Sequence, residues 1–169
     1  MRDERRRAYE ELCRDEYAGV LRTALLITGD REEAADLAQE AFARAYEHWR
    51  TVSELDRPAA WLQRVVGNLA ISWRRRQGVR RRASKVAPAD DPATVEPELL
   101  DPELMAALRA LTPAQRAVVV LRYFADQSVD EVARGLGKRA GTVRALTSQG
   151  LSRLREFLVH EEADDEARR

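Results

Sequence analysis

Apolar residues in the first half of the chain recur at three- and four-residue steps, the period of an amphipathic helix. They predict a first long helix that ends near Gly29 and a second that begins at Asp30, where Asp30 and Glu33 have capping-box spacing. A third helix is predicted to begin at Pro58, since proline in a first turn loses no helical hydrogen bond. The expected apolar faces are Tyr9, Leu12, Cys13, Tyr17, Val20, Leu21, Ala24 and Leu25, then Leu37, Ala38, Ala41, Phe42, Ala45 and Tyr46, then Trp61, Leu62, Val65, Val66, Leu69 and Trp73.

The second half of the chain contains four further helix starts. A cap followed by proline stands at Asp101, capping boxes begin at Thr112 and Ser128, and Gly137 can supply the left-handed turn between the last two helices. The β-prone run at 118–121 has helical flanks, and strand-like alternation is not convincing anywhere. The sequence therefore predicts an all-α protein.

The segment 83–101 separates these halves and contains Pro88, Pro92 and Pro97 among acidic and small residues. It has too few apolar groups to offset the entropy of ordering it. We expect two small helical domains, 1–82 and 102–160, joined by this flexible acidic linker and followed by an acidic tail at 161–169. The C-terminal domain is expected to contain a helix-turn-helix.

Composition changes this picture through the distribution of charge, because 29 basic and 29 acidic residues give a net charge of zero. Residues 51–87 carry 9 basic and 2 acidic side chains, and residues 105–160 carry 9 and 4. Between these blocks, residues 88–104 carry 0 basic and 6 acidic side chains. Two basic blocks separated by an acidic segment fit nucleic-acid binding, although solvated charged faces give similar blocks.

The sequence contains few residues that could form a catalytic site. The two histidines, His48 and His160, are far apart, and the single cysteine, Cys13, lies on the apolar stripe of the first helix. Metal-ligand clusters and phosphate-binding loops are missing, so we expect neither an enzyme nor a cofactor. No apolar run could span a bilayer and no signal segment is visible, which predicts a cytoplasmic protein without membrane insertion.

The strongest local pattern lies between Val129 and Leu146. A helix-turn-helix needs a small residue where its helices cross, a glycine in the turn and apolar residues that lock the second helix. Ala133, Gly137 and Val143 have these places, and an ordinary helical hairpin is the alternative. On the first interpretation Lys138 and Arg139 lie near phosphates. The outward face of the second helix is then Gly141, Thr142, Arg144, Ala145 and Ser148.

From residue 10 to residue 158 the chain resembles the extracytoplasmic-function sigma factors of the sigma-70 family. Residues 35–42, ADLAQEAF, resemble the region-two helix that docks on the polymerase clamp. The segments 58–62, 65–68 and 73–76 resemble the part that melts and reads the −10 element. The segments 111–116, 121–123, 131–133 and 141–144 resemble region four, the reader of the −35 element. Both halves match in the family's order and spacing.

This resemblance implies a non-catalytic protein that directs core RNA polymerase to promoters. The implied partners are the clamp and flap of core RNA polymerase and promoter DNA, and an anti-sigma factor is a common arrangement in the family. The expected polymerase-binding residues are Asp36, Leu37, Gln39, Glu40 and Phe42. The expected −10 residues are Ser53, Asp56, Arg57, Trp61, Arg64, Asn68, Trp73, Arg74, Arg75 and Arg76. The expected −35 residues are Lys138, Arg139, Gly141, Thr142, Arg144, Ala145, Ser148 and Gln149.

Several of these residues can be argued from physics as well. A base held outside the duplex needs stacking and hydrogen bonds to its edge, which the polar loop 51–57 and Asn68 can supply. The arginines after Trp73, including Arg80, Arg81 and Arg82, can follow phosphates. Trp61 is expected to pack in the core. For Trp73, core packing and stacking on DNA both stay open.

The sequence also departs from the family pattern. Arg139 stands where relatives usually have a helix cap, and Ala145 and Gln149 stand where serine and a basic residue are common. Weak or altered −35 discrimination is the expected result. Two other functions stay open here, a helix-turn-helix regulator that acts on duplex DNA without polymerase and a helical scaffold without a DNA role.

Overall fold

A computed structural model describes residues 2–84 and 101–167, with side chains for 3–80 and 101–159. The chain divides into two compact units between positions 95 and 96. Within the described ranges the regular elements are eight helices and no strand, which confirms the predicted all-α class. Most of the predicted linker falls outside these ranges. Its described ends are Ala83 and Ser84, in the last turn of a helix, and Asp101, the N-cap of the next helix.

The N-terminal unit consists of α1 (Arg2–Thr28), α2 (Arg31–Glu47), α3 (Trp49–Val52) and α4 (Pro58–Ser84). Helix α1 ends as predicted, because Gly29 adopts a left-handed conformation with φ of 72°. The amide of Gly29 donates to the Leu25 carbonyl at 2.8 Å and satisfies an end group of the helix. The single turn α3 was not predicted, since four residues are too few to show a helical period.

Only half of the capping box predicted at the start of α2 is present. The Asp30 carboxylate accepts a hydrogen bond from the Glu33 amide at 3.1 Å, as expected of an N-cap. The Asp30 amide, however, donates to Oγ1 of Thr28 at 3.2 Å, in the last turn of α1. This hydroxyl takes the place predicted for the Glu33 carboxylate.

The core of the N-terminal unit is formed by α1, which packs against both α2 and α4. Leu62 and Val66 of α4 are fully buried as predicted, and they are joined by Ala70 and Ile71. The prediction was wrong for the neighbouring row, which is only partly covered: Trp61, Val65, Leu69 and Trp73. The two rows lie about 100° apart on the helix, so the apolar arc of α4 is wider than its contact with α1 and α2.

The C-terminal unit consists of α5 (Pro102–Arg109), α6 (Pro113–Tyr123), α7 (Val129–Leu136) and α8 (Ala140–Ala167). All four predicted starts are confirmed, with complete capping boxes at Thr112 and Ser128. Helix α8 extends through most of the segment predicted to be a separate acidic tail. Residues 161–167 are rich in glutamate and alanine, which favour the helical state.

Helices α6 and α8 approach each other closely at Gly150. A Cβ atom at this position would lie 2.9 Å from Cγ2 of Val119 on α6, closer than packed carbon atoms tolerate. The core of the unit is formed around this contact by buried residues of all four helices. The fully buried ones include Leu108, Val118, Val120, Leu121, Val132 and Val143.

Candidate protein and nucleic-acid interfaces

The outward face of α2 carries the polar residues predicted to bind polymerase. Asp36, Gln39 and Glu40 are all exposed, as expected of an interface. Glu40 accepts a hydrogen bond from Nε of Arg44 at 2.9 Å, an ion pair along the same face. This face is therefore acidic and amide-bearing, and one arginine neutralises part of it.

The structure corrects the placement of the two apolar residues predicted for the same interface. Leu37 is 8% exposed and Phe42 is 7% exposed, because both lie on the side of α2 that packs into the core. Little of either side chain is therefore accessible to a partner in this arrangement. Their contribution is to hold α2 so that Asp36, Gln39 and Glu40 face outward.

An aromatic cluster fixes the C-terminal end of α2 against α1. The hydroxyl of Tyr9 donates to the Phe42 carbonyl at 2.9 Å, and its ring makes edge contacts with Tyr46 at 5.2 Å and Trp49 at 5.3 Å. Burial, followed by a hydrogen bond with half-buried Cys13, raises the pKa of Tyr9 above its usual value. Tyr9 therefore stays neutral over the physiological range. The sequence pattern missed Trp49, which lies in the short helix α3.

The loop that precedes α4 presents exposed polar groups next to an exposed leucine. Ser53, Asp56 and Arg57 are exposed, so the contact with DNA predicted for them is sterically possible. Leu55 is 38% exposed in the same loop and was missed, because a lone leucine in a loop gives no periodic pattern. The loop thus combines hydrogen-bonding groups with an apolar contact.

The surface of α4 that continues from this loop is partly apolar. Trp61 and Trp73 are half-buried. Trp61 was expected to lie in the core, but part of its side chain is exposed. Asn68 lies between them, and its Oδ1 atom is inaccessible and has no hydrogen-bond partner among the described residues. Arg64 is half-buried on the same stretch. Helix α4 therefore carries two partly exposed aromatic rings, and it carries an amide whose oxygen is covered in this arrangement.

The three arginines at 74–76 do not share one environment. Arg75 and Arg76 are exposed, as phosphate contacts require. Arg74 is instead partly buried, and its Nη1 atom donates to the Ile27 carbonyl at 2.7 Å and the Thr28 carbonyl at 3.3 Å. Its guanidinium thus holds the end of α1, whereas the sequence grouped it with the phosphate contacts. Arg80 is exposed, and the side chains of Arg81 and Arg82 lie outside the described residues.

Helices α7 and α8 have the predicted helix-turn-helix packing. Val132, Ala133 and Val143 are buried where the helices cross, while Leu136 and Leu146 are partly covered. Gly137 has φ of 62°, and the next amide, of Lys138, donates to the Ala133 carbonyl at 2.9 Å. The left-handed glycine therefore ends α7 and allows the tight turn that a helix-turn-helix has between its helices.

Every residue predicted at the −35 interface is exposed. The set is Lys138, Arg139, Gly141, Thr142, Arg144, Ala145, Ser148 and Gln149. The carbonyl of Arg139 accepts the first α8 hydrogen bond, from the Val143 amide at 3.1 Å. An arginine side chain has no acceptor for the amides of the first turn, so the predicted poor cap has a physical basis.

The corner between α6 and α7 contains a polar side chain that the sequence did not reveal. Gln127 is 2% exposed, and neither of its amide atoms has a hydrogen-bond partner among the described residues. The backbone carbonyl of Gln127 accepts a hydrogen bond from Nη1 of Arg122 at 2.6 Å. The preceding residue, Asp126, has a φ of 50°. An unpaired buried amide of this kind lowers stability.

Metal-binding clusters and membrane-spanning helices are both absent from the part of the chain that the structure describes. Across the ranges with side chains, no group of three or more His, Cys, Asp or Glu residues is placed to hold a metal ion. In the same part of the chain, no helix has both the length and the apolar character needed to cross a membrane.

Matches to two family models and to a relative in Streptomyces establish the family of this chain. Residues 12–80 match the family model for sigma-70 region 2, and residues 107–156 match the model for sigma-70 region 4. The RNA polymerase sigma-E factor of Streptomyces coelicolor is 36% identical over 162 residues, which cover 94% of this chain and 90% of the relative. The chain belongs to the extracytoplasmic-function sigma factors of the sigma-70 family.

Other relatives extend this similarity. The ECF RNA polymerase sigma factor SigL of Mycobacterium tuberculosis is 35% identical over 148 residues, covering 83% of this chain and 84% of its own. The sigma factor RpoE of Bartonella quintana, solved in complex with the anti-sigma factor NepR, has a similar fold, with a TM-score of 0.61 and 24% identity. That likeness covers 88% of this chain and 94% of the solved chain.

Membership of the family establishes the general activity of this sigma factor. It binds core RNA polymerase and promoter DNA and directs transcription initiation, as the sequence resemblance predicted. Region 2 corresponds to the unit built from α1 to α4, and region 4 to the unit that contains the helix-turn-helix. The regulator and scaffold alternatives are therefore set aside.

Proposed function

We propose that the sigma factor divides its work between its two units as follows. Residues 1–82 bind core polymerase and read the −10 element, residues 102–160 read the −35 element, and the acidic segment 83–101 connects them. The protein acts in the cytoplasm by binding alone and has no catalytic role. The observation that carries this proposal is the exposure of the whole predicted −35 set beside a buried Val132, Ala133 and Val143.

Polymerase binding is assigned to the outward face of α2. Asp36, Gln39 and Glu40 are exposed while the opposite side of the helix is buried, so the face can bind without loss of the core. Its acidic character suits a basic partner surface, for which we propose the clamp of the largest subunit. The flap is proposed to contact the C-terminal unit.

Recognition of the −10 element is assigned to the loop 53–57 and the adjacent surface of α4. A base that leaves the duplex loses its stacking partner, and a half-exposed tryptophan such as Trp61 can replace that partner. Asn68 carries an amide able to pair with a base edge, and Arg75 and Arg76 can neutralise phosphates. Recovered stacking energy offsets part of the cost of opening the duplex.

Recognition of the −35 element is assigned to α8. A helix of this kind enters the major groove with its first turns against the base edges. Thr142, Arg144 and Ser148 offer hydrogen-bonding groups there, whereas Ala145 offers only a methyl contact. Lys138 and Arg139 stand at the start of the helix, where the phosphate backbone passes.

An anti-sigma factor is proposed as a further partner. The support is the fold shared with a sigma factor that was solved in complex with one. If such a partner is present, it competes with core polymerase for this chain. Purification of the tagged protein from its own host, followed by mass spectrometry and a competition assay with core polymerase, tests this proposal.

Transcription with purified core polymerase tests the main proposal. Promoter-dependent transcripts and an open −10 region are expected only when the sigma factor is added. Replacement of Asp36 and Gln39 together by alanine should weaken core binding and leave the helical circular dichroism unchanged. Replacement of Glu10, exposed on α1 outside the proposed face, serves as the matched control. Unchanged core binding by the double variant would show that the interface lies elsewhere.

A further inference from the structure

Arg74 is partly buried, whereas Arg75 and Arg76, its neighbours in the sequence, are exposed. Its Nη1 atom lies 2.7 Å from the Ile27 carbonyl oxygen and 3.3 Å from that of Thr28, the last residues of α1. The last turn of α1 contains no basic residue of its own. Carbonyl groups at a helix end lack intrahelical partners and carry partial negative charge, which a cation stabilises. Helix α4 therefore supplies the charge that completes the end of α1.

The same helix end is joined to the start of α2. Oγ1 of Thr28 lies 3.0 Å from the carbonyl oxygens of Ala24 and of Asp30, and it accepts the Asp30 amide at 3.2 Å. The carboxylate of Asp30 in turn caps α2 through the Glu33 amide. Arg74, the end of α1 and the start of α2 are thus linked by consecutive hydrogen bonds.

This link joins the two surfaces that the proposed function separates. Helix α2 carries the polymerase face, and α4 carries Trp61, Asn68 and the exposed arginines of the −10 surface. The apolar contribution to packing between the helices is not directional. Hydrogen bonds from a planar guanidinium are directional, so they fix the register of α4 against the turn between α1 and α2.

We propose that Arg74 is a positioning residue rather than a phosphate contact. It holds α4 in the orientation that presents the −10 surface correctly when α2 is bound to polymerase. The inference rests on the proposed function of α2 and α4. It differs from the simple expectation for an arginine run, in which all three side chains follow DNA.

Three arginine variants of the full chain, assembled with core polymerase, separate these roles. Holoenzymes with Arg74→Ala, Arg75→Ala or Arg76→Ala are compared at a temperature where circular dichroism shows each sigma factor fully folded. Promoter affinity is measured over a salt series, and opening is followed with a fluorescent base in the −10 element. For Arg75→Ala and Arg76→Ala, the slope of log affinity against log salt should fall by about one unit.

For Arg74→Ala the expected result is different. Opening should fall by about tenfold, the typical effect of losing hydrogen bonds to a charged group, with the salt slope unchanged. Arg74→Lys, which keeps the charge but not the planar fork, should recover part of the opening. A slope that falls by about one unit would make Arg74 a phosphate contact. Normal opening by a folded Arg74→Ala protein would restrict its role to stability. Either result overturns the proposal.

A second pair of variants tests the link through Thr28. Thr28→Val removes the hydroxyl at nearly constant shape and should reduce opening in the same direction as Arg74→Ala. Thr28→Ser keeps the hydroxyl and should open promoters like the wild type. Equal activity of both Thr28 variants would overturn the proposed link to α2.

The outcome for Arg74 can be distinguished from failure of the proposed function itself. If the wild-type holoenzyme does not open promoters, the proposed function fails before any variant is compared. If the Arg75 and Arg76 variants keep the wild-type salt slope while the wild type is active, the DNA surface of α4 has been misplaced. In that case promoter opening by the Arg74→Ala holoenzyme still reports on the positioning role, and normal opening contradicts it.

Discussion

The two helices proposed to contact DNA divide their buried and exposed sides differently. In α8 the division is sharp, with Val143 fully buried and Thr142, Arg144 and Ser148 exposed. In α4 it is gradual, because Trp61 and Trp73 are half-covered beside a fully buried Leu62. Reading duplex DNA requires a rigid surface whose groups meet fixed base edges. Holding a single strand requires apolar surface that stays available until bases stack on it.

The largest expected effect would come from removing the aromatic surface of α4. Trp61→Ala should lower promoter opening by an amount near the upper end of the ~1–3 kcal/mol that stacking contributes per base. Binding to a −35 duplex should change little, because α8 lies in the other unit. Opening is measured with a fluorescent base, and Trp61→Phe is the control that keeps an aromatic ring. Wild-type opening by Trp61→Ala would remove the contrast between the two helices.

The next effect concerns the sharp face of α8. Arg144→Ala should cost about 2 kcal/mol at the preferred −35 sequence and much less at a substituted one, as a bidentate guanine contact requires. Holoenzyme binding to promoters with single −35 substitutions, at two salt concentrations, measures this. A uniform loss with a salt slope smaller by about one unit would assign Arg144 to a phosphate.

Asn68 sharpens the comparison within α4. Its Oδ1 atom is inaccessible without DNA, so base pairing by the amide requires a change of side-chain orientation that offsets part of the gain. Asn68→Ala should therefore relax preference at one −10 position by about 1 kcal/mol, the lower end for such contacts. Transcription from a set of −10 variants provides the measurement. An equal loss on every variant would indicate a stability defect.

The smallest expected effect is on stability and runs in the favourable direction. Gln127→Leu replaces a buried amide that lacks partners among the described residues with an apolar group of similar size. The free energy of unfolding should rise by about 1 kcal/mol, because an unsatisfied buried amide is costly. Chemical denaturation of the full chain checks this, with exposed Gln149→Leu as the control. A lower denaturation midpoint for Gln127→Leu would mean that the amide has a partner in solution.

Local signals explain why most of the fold could be predicted from the sequence. Caps at Thr112 and Ser128 and left-handed glycines at 29 and 137 depend on a few neighbouring residues. The orientation of α4 could not be predicted in full. Periodicity identifies the apolar arc of a helix, but it does not indicate which part of the arc meets another helix.

The candidate interfaces could likewise be predicted only in part. Exposure of the predicted −35 residues follows from one motif, whereas the buried positions of Leu37 and Phe42 follow from the packing of α2 against its neighbours. Arg74 illustrates the strongest case, since its partner Ile27 is 47 residues away in the chain. A run of arginines in a sequence gives no sign that one of them has an acceptor elsewhere in the fold.

The close contact at Gly150 has a mechanical consequence for α8. Gly150 is the point at which α8 packs directly against Val119 of α6, so the helix would pivot about this residue. The part of α8 that is proposed to contact DNA, from Ala140 to Gly150, spans about 15 Å at the helical rise of 1.5 Å per residue. A side chain added at Gly150 would tilt this part of the helix and displace its N-terminal end most. Glycine at this position therefore determines the direction of α8 as well as its packing.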